Sequence, residues 1–249
     1  MKPGPPSALR RFYAPPERFA SGRVALDPGE SRHLARVLRL PVGAAVEVAD
    51  GQGKVFLARV HSLGREAVLQ VAQELPPAGE SPLALTLGLG LAKGDTLDLV
   101  VRQAVELGVA EIIPFVSERS EPAAPEREAR RLARWQKLAR ESLKSCRRMQ
   151  LPLIQGVTDF AQVLEGPEEV KLIFWEEAKG GGLAEFMGRR RPSSARVLIG
   201  PEGGFTSQEV AQARAAGFAV ASLGPRRLRV ETAALAALAL LQSAWGDLA

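Results

Sequence analysis

Two glycine-marked turns near the end of the chain carry the residues most able to do chemistry: GPEGGFTSQE at 200–209 and LGPRRLRVETAAL at 223–235. In the first, Gly200, Gly203 and Gly204 free the backbone to turn sharply or to come close to a ligand. Residues 196–199 read as a short buried strand before it. Thr206 and Glu209 have the spacing of a capping box, so a helix is expected to follow at once. The second turn repeats this logic. Residues 219–223 read as a strand, Gly224-Pro225 turns the chain, and Glu231 opens a helix that runs to about Trp245. Arg229 stands two residues before Glu231, just ahead of a helix start that favours negative charge. Either turn alone also fits an ordinary strand-to-helix connection; two in succession point to a site.

At these residues the chain resembles the RsmE family of SPOUT-class RNA methyltransferases, which methylate N3 of one uridine in small-subunit (16S) ribosomal RNA. The matching pieces are the two turns and KGDTLDLVVRQAVELGVAEIIPFVSERS at 93–120, and the likeness spans nearly the whole chain. The resemblance implies an α/β fold: a SPOUT-type parallel-sheet methyltransferase domain with a C-terminal trefoil knot at 76–249, preceded by a small PUA-like β-barrel at 1–75 that binds RNA. It also implies a homodimer. Knots are too rare for any periodicity in the chain to have pointed to one.

The same resemblance implies S-adenosyl-L-methionine as the cofactor. Leu198, Ile199, Gly200, Pro201, Glu202, Gly203 and Gly204 would hold it from the first turn. Leu223, Gly224, Leu228, Arg229, Thr232 and Ala233 would hold it from the second. A third loop is implied after Phe174-Trp175, where Glu176 would accept hydrogen bonds from the ribose or balance the sulfonium charge; an exposed loop acid is the other reading.

S-adenosylmethionine is an activated methyl donor, so the protein has to orient it, exclude water and present a nucleophile in line with the methyl carbon. Uracil N3 is a poor nucleophile while protonated, which calls for help in removing that proton or in stabilising the resulting anion. Arg229 is the candidate for holding negative charge on the uracil oxygens or on a phosphate. Glu231 is the candidate proton acceptor, with capping of its own helix as the alternative. The base also has to leave its paired setting to be reached. Ribose 2′-O-methylation by another member of the class, and non-catalytic RNA binding, are the alternative functions.

The elements that position these residues have to come from 249 residues that are 46% hydrophobic, enough for one large domain or two ordinary ones. Thirty-three Lys and Arg against 28 acids give a net charge of +5 and a pI near 9.8, which fits a polyanionic partner without requiring one. Arginine makes up 26 of those cations; planar forks suit phosphate, while genome composition or a hot habitat would produce the same bias. No apolar run is long enough to span a bilayer, and MKPGPPSALRRF lacks the hydrophobic stretch of a signal peptide, so a cytoplasmic protein with no membrane partner is expected. Cys146 is the single cysteine, and His33 and His61 are the only histidines, so neither an intramolecular disulfide nor a structural metal is expected.

Residues 1–75 read as short strands at 25–26, 45–49, 55–60 and 68–72, interrupted by a helix at 30–40. The basic side of that helix, with Arg32, Arg36 and Arg39 beside the lone His33, either tracks RNA or is a solvated face, and the resemblance favours RNA. Prolines and a glycine at 75–79 mark a linker. Beyond it, strands at 83–91, 110–115, 170–175, 196–199 and 219–223 alternate with helices, including 95–107 and 128–149, which is the pattern of a parallel sheet. Gly88, Gly90 and Gly94 approximate a dinucleotide fingerprint, but the third falls one residue late and the first two lie inside an apolar strand. They read as strand glycines.

The helix at 128–149 puts Leu132, Trp135, Leu138, Ala139 and Cys146 near one side and Arg130, Arg134, Lys137, Lys144 and Arg148 near the other. Eight cations face one acid between residues 129 and 150, either a solvated face or an RNA track with Arg134, Lys137 and Arg148 as contacts. Here the chain departs from the family: Lys144-Ser145 stands where a glutamate-glutamine pair is expected, although Arg148 keeps its place. Arg226 and Arg227 in the second turn are further candidate RNA contacts. The run Arg189-Arg190-Arg191, beyond a flexible glycine run at 180–182, is a solvated loop or another such contact.

Overall fold

Short strands separated by tight turns build the first of the two units into which the chain divides, Met1–Gly79 with Leu143–Leu151. The computed structural model describes residues 9–120, 125–178 and 191–248; the glycine run 180–182 and Arg189 and Arg190 lie outside them. In the first unit, β1 (Arg11–Tyr13), β2 (Phe19–Ala20), β3 (Arg23–Ala25), β4 (Ala45–Ala49), β5 (Val55–Ser62) and β6 (Val68–Glu74) form a sheet in the order β1-β4-β5-β6-β3-β2. Within it, only the β1–β4 pair is parallel. Alternation along the strands turns Val46, Val48, Ala58, Val60 and Leu69 inward, where Phe12, Leu26 and Leu34 complete a PUA-like core.

Between β3 and β4, Asp27 caps the helix Pro28–Arg32 by accepting the Gly29 and Glu30 N–H groups at 2.6 and 2.9 Å. The chain continues as a π-helix over His33–Val37 and leaves it through Arg39 at φ 52°. The helix expected at 30–40 is therefore two shorter pieces, with Arg32, Arg36 and Arg39 exposed.

Two carboxylates of this unit hold three basic residues. Lys144 donates to Glu30 at 2.5 Å, Arg147 to Glu47 at 2.6 Å, and Arg11 to Glu47 at 2.8 Å. Arg11 also donates to the Arg148 carbonyl at 3.0 Å. The basic stripe expected along the long helix is corrected here: Arg148 is only 6% exposed, and Lys144 is spent on a buried acid. The last turn of the helix, from Leu143, belongs to the first unit, and Lys144 and Arg147 are neutralised there.

The second unit, Glu80–Ser142 with Pro152–Ala249, holds an all-parallel sheet. Its strands are β7 (Ala84–Gly90), β8 (Glu111–Val116), β9 (Leu153–Ile154), β10 (Thr158–Asp159), β11 (Val170–Phe174), β12 (Ser194–Ile199) and β13 (Ala219–Ala221). The order is β10-β8-β7-β12-β11-β13, with β9 also on β8. Central strands β7 and β12 are almost continuously buried, as strands covered on both faces must be. The larger helices are Thr96–Glu106, Pro125–Cys146, Ser207–Ala215 and Val230–Trp245. Strands β9 and β10 and the four-residue helix Phe160–Val163 are too short to carry a period in sequence. Among the described residues, no helix is long and apolar enough to cross a membrane, and no group of three or more His, Cys, Asp or Glu could hold a metal ion.

Candidate active site

Parallel strands release their loops at one edge, and here three do so at the same level. Phe174 at the end of β11 pairs with Ile199 of β12 on one side and Ala221 of β13 on the other. The loops that follow enclose a cleft of about 710 Å³, within the roughly 300–1,000 Å³ typical of small-molecule sites.

The cleft brings most of the expected residues together. Ile199, Gly200, Pro201, Glu202, Gly203 and Gly204 line it from the first turn. Leu223, Gly224, Arg226, Arg227, Leu228, Arg229, Glu231 and Ala233 line it from the second, and Glu176 from the third loop. Leu198 and Thr232 do not. Leu198 is fully buried in the core with Phe115, Phe160 and Phe205, because neighbours along a strand face opposite sides. Thr232 is exposed on the first turn of its helix, outside the lining.

Thr96, Arg119, Phe174, Trp175, Phe205 and Ser222 also line the cleft. The aromatic ones sit beside Glu176 and Gly204 in sequence, so adjacency alone could have proposed them. Thr96 and Arg119 lie in the segment 93–120 that carries the resemblance, but no spacing within it marks them as cleft residues.

The first turn is held from several directions. Gly204 adopts φ 67°, and its N–H donates to the Pro201 carbonyl at 2.9 Å. The capping box forms in full: Thr206 N–H donates to Glu209 at 2.8 Å, and Glu209 N–H donates to the Thr206 hydroxyl at 3.2 Å. Phe205 stacks on Phe115 with ring centroids 6.2 Å apart, anchoring the turn in the core. The loops after β7 and β8 grip it as well, Lys93 N–H donating to Glu202 at 2.8 Å and Arg119 donating to the Gly203 carbonyl at 2.6 Å. The Glu176 carboxylate lies over Gly204, so a Cβ there would have to push that side chain aside as well as adopt the left-handed backbone at φ 67°.

In the second turn, Gly224 at φ 106° donates its N–H to the Ser222 hydroxyl at 3.2 Å. The helix begins at Val230 rather than at Glu231, with Arg229 in the cap position at φ −67° and ψ 158° and no side chain capping it. Glu231 is thus a first-turn acid, placed where the positive end of the helix favours a carboxylate. Arg229 is exposed; its carbonyl accepts the Ala233 N–H at 2.8 Å, and its side chain makes no hydrogen bond or ion pair with the described residues.

Two features suit a ligand that brings polar groups of its own. The glycine-lined turn exposes backbone without side chains in the way, and the indole nitrogen of Trp175 is buried with no hydrogen-bond partner among the described residues. Of the expected RNA contacts, Arg226 and Arg227 stand on the cleft itself, and Arg32, Arg36, Arg39 and Lys137 are exposed. Arg134 is committed to ion pairs with Asp95 at 3.3 Å and with Asp98. Arg148 is buried.

The RNA methyltransferase domain family matches residues 79–242, and the RNA methyltransferase PUA domain family matches residues 26–71. The chain is 31% identical over 239 residues to the ribosomal RNA small subunit methyltransferase E of Synechocystis, covering 94% of this chain and 77% of that one. It is 28% identical over 221 residues to the Bacillus subtilis protein of the same name, covering 85% and 86%. A methyltransferase of Legionella pneumophila, solved with bound S-adenosylmethionine, superposes with a TM-score of 0.89 at 31% identity over 97% of this chain and all of that one. A ribosomal RNA small subunit methyltransferase E from Neisseria gonorrhoeae, bound to S-adenosylmethionine, does so at 0.87 and 36% identity, over 97% of this chain and all of that one.

Proposed function

This chain belongs to the RNA methyltransferase family, among the ribosomal RNA small subunit methyltransferase E proteins, and we propose that it methylates N3 of one uridine in small-subunit (16S) ribosomal RNA. It is an enzyme that uses S-adenosylmethionine. The observation that carries the finer reading is the shared level of Phe174, Ile199 and Ala221, which gathers Glu176, the glycine turn, Arg229 and Glu231 around one cleft.

The cofactor fits the residues present. Backbone groups of residues 199–204 and 223–228, with Ala233, would hold it, and the unpartnered Trp175 indole N–H and the Glu176 carboxylate would meet its polar groups. When bound it supplies an electrophilic methyl carbon. Arg229 offers a guanidinium without a partner among the described residues to the negative charge that develops on the uracil oxygens as N3 loses its proton. Glu231, two residues on, is the candidate to accept that proton. Arg226 and Arg227 hold phosphates at the cleft, and Arg32, Arg36, Arg39 and Lys137 add counter-charge for the rest of the RNA.

Ribosomal RNA incubated with the protein and S-adenosylmethionine, then digested to nucleosides and weighed by mass spectrometry, tests the assignment. 3-Methyluridine is expected; a 2′-O-methylated nucleoside, or no methylated nucleoside at all, would overturn it.

The same reading includes a trefoil knot in the second unit, a homodimer, the ribosomal small subunit as partner and a cytoplasmic location. Support for the dimer comes from Leu99 and Leu240, 44% and 42% exposed on the mutually packed helices Thr96–Glu106 and Val230–Trp245. Light scattering that reports a monomer at micromolar concentration would remove it.

A further inference from the structure

A second, smaller pocket of about 240 Å³ lies in the same unit. Asp95 and Asp98 line it from the start of the Thr96–Glu106 helix; Arg127, Arg130, Arg131 and Arg134 line it from the long helix. The arginine spacing of three, four and seven residues places them on one helical face. The two carboxylates are already used: Arg134 pairs with both, and Asp98 also accepts the Trp135 indole N–H at 3.0 Å. The side chains of Arg127, Arg130 and Arg131 make no hydrogen bond or ion pair with the described residues. Three unpaired guanidinium groups within little more than one helical turn repel one another, and an oxyanion among them relieves that repulsion. Guanidinium forks match phosphate oxygens two at a time.

Position narrows the ligand. Thr96 lines the large cleft, while its chain neighbours Asp95 and Leu97 line the small pocket, so one turn of backbone walls both. The same loop is tied to the glycine turn through the Lys93 N–H and Glu202. A strand whose base enters the cleft therefore carries a neighbouring phosphate past this wall.

Resting on the RNA substrate proposed above, we propose that Arg127, Arg130 and Arg131 form a seat for a backbone phosphate of the strand whose base enters the cleft. The basic stripe legible in the sequence is thereby moved. Its working edge is the N-terminal part of the long helix, not Arg134, which is paired, nor Arg148, which is buried.

The test is binding of a mixed-sequence single-stranded RNA oligonucleotide across a salt series, by fluorescence anisotropy, to the full chain and to Arg127→Gln/Arg130→Gln/Arg131→Gln. If the variant no longer neutralises one phosphate, the slope of log affinity against log salt becomes shallower by about 0.7. S-adenosylmethionine affinity by calorimetry is expected to stay at the wild-type value, which also reports that the triple variant is folded. Arg130→Lys/Arg131→Lys, which keeps the charge, is expected to keep the slope. Arg214→Gln, an exposed cation on the Ser207–Ala215 helix, is expected to leave it unchanged. A wild-type slope in the folded triple variant overturns the seat, and so does an equal change in Arg214→Gln, which would make the effect one of overall charge. Inorganic phosphate that binds the wild type and not the triple variant, with no change in RNA slope, would assign the pocket to a free anion and overturn the proposal too. None of these readouts needs turnover, so absence of 3-methyluridine would sink the proposed reaction while leaving this result legible.

Discussion

Gly90 and Pro201 meet backbone to backbone: a Cβ built on Gly90 would stand 2.6 Å from the Pro201 nitrogen and 2.9 Å from the Gly200 carbonyl carbon. The end of β7 supports the glycine turn from within the sheet only because residue 90 has no side chain. Gly90→Ala is expected to displace the turn, at the roughly 1–3 kcal/mol that overpacking costs, and to weaken S-adenosylmethionine binding by about tenfold. Calorimetry showing unchanged affinity in a folded variant would separate the turn from the cofactor.

Gly203 abuts Arg119, a Cβ there falling 2.9 Å from the Arg119 Cβ, while the Arg119 guanidinium holds the Gly203 carbonyl. Gly203→Val is expected to push that side chain away and lower cofactor affinity. Combining Gly203→Val with Arg119→Gly removes that Cβ and the rest of the side chain, so the double variant is expected to lose less than the sum of the two single variants. Strict additivity in the cycle would show that the two residues act independently.

Arg229 lines the same cleft but makes a different prediction from the glycines. Arg229→Ala is expected to slow methyl transfer on the order of 10²-fold, as loss of one charge-stabilising donor does, with S-adenosylmethionine affinity largely intact because a sulfonium gains nothing from a nearby cation. Arg229→Lys is expected to recover only part of the rate, since a point charge replaces a planar fork. Single-turnover kinetics at saturating RNA decide the role. Full recovery of Arg229→Ala under saturation would make the residue a binding group.

In the first unit, Lys144 and Glu30 form an ion pair whose side chains are 10% and 11% exposed. Lys144→Ala removes the cation from a buried carboxylate and leaves it the Tyr13 N–H, which it accepts at 3.1 Å. A loss near the lower end of the roughly 3–5 kcal/mol seen for broken buried pairs is expected. Urea unfolding reads it as a lower midpoint for the transition of this unit. A midpoint within error of the wild type would show that Glu30 finds other partners.

What the sequence by itself determined was local. The capping box of Thr206 and Glu209 depends on a spacing of three residues, and it forms as written. The two turns, the parallel sheet and the small barrel follow from glycine placement and from periods that any short window contains. Most of the cleft lining is legible for the same reason, since consecutive residues of a turn share one surface; Leu198 and Thr232 lie outside that lining, because alternation on a strand and rotation on a helix send neighbours elsewhere.

Only the tertiary structure decided which distant groups serve those turns. Lys93 reaches Glu202 across 109 residues, Arg119 reaches Gly203 across 84, and Lys144 reaches Glu30 across 114. Gly90, which in sequence is one more strand glycine, becomes the support of the glycine turn because β7 and β12 are neighbours in the sheet. The basic stripe shows the same limit from the other side. Charge and helical period place eight cations along it, but whether each is solvated, paired or buried depends on the acids that other elements bring: Asp95 and Asp98 claim Arg134, and Glu30 claims Lys144. Pairing is set by strand order and helix packing, which no local window encodes.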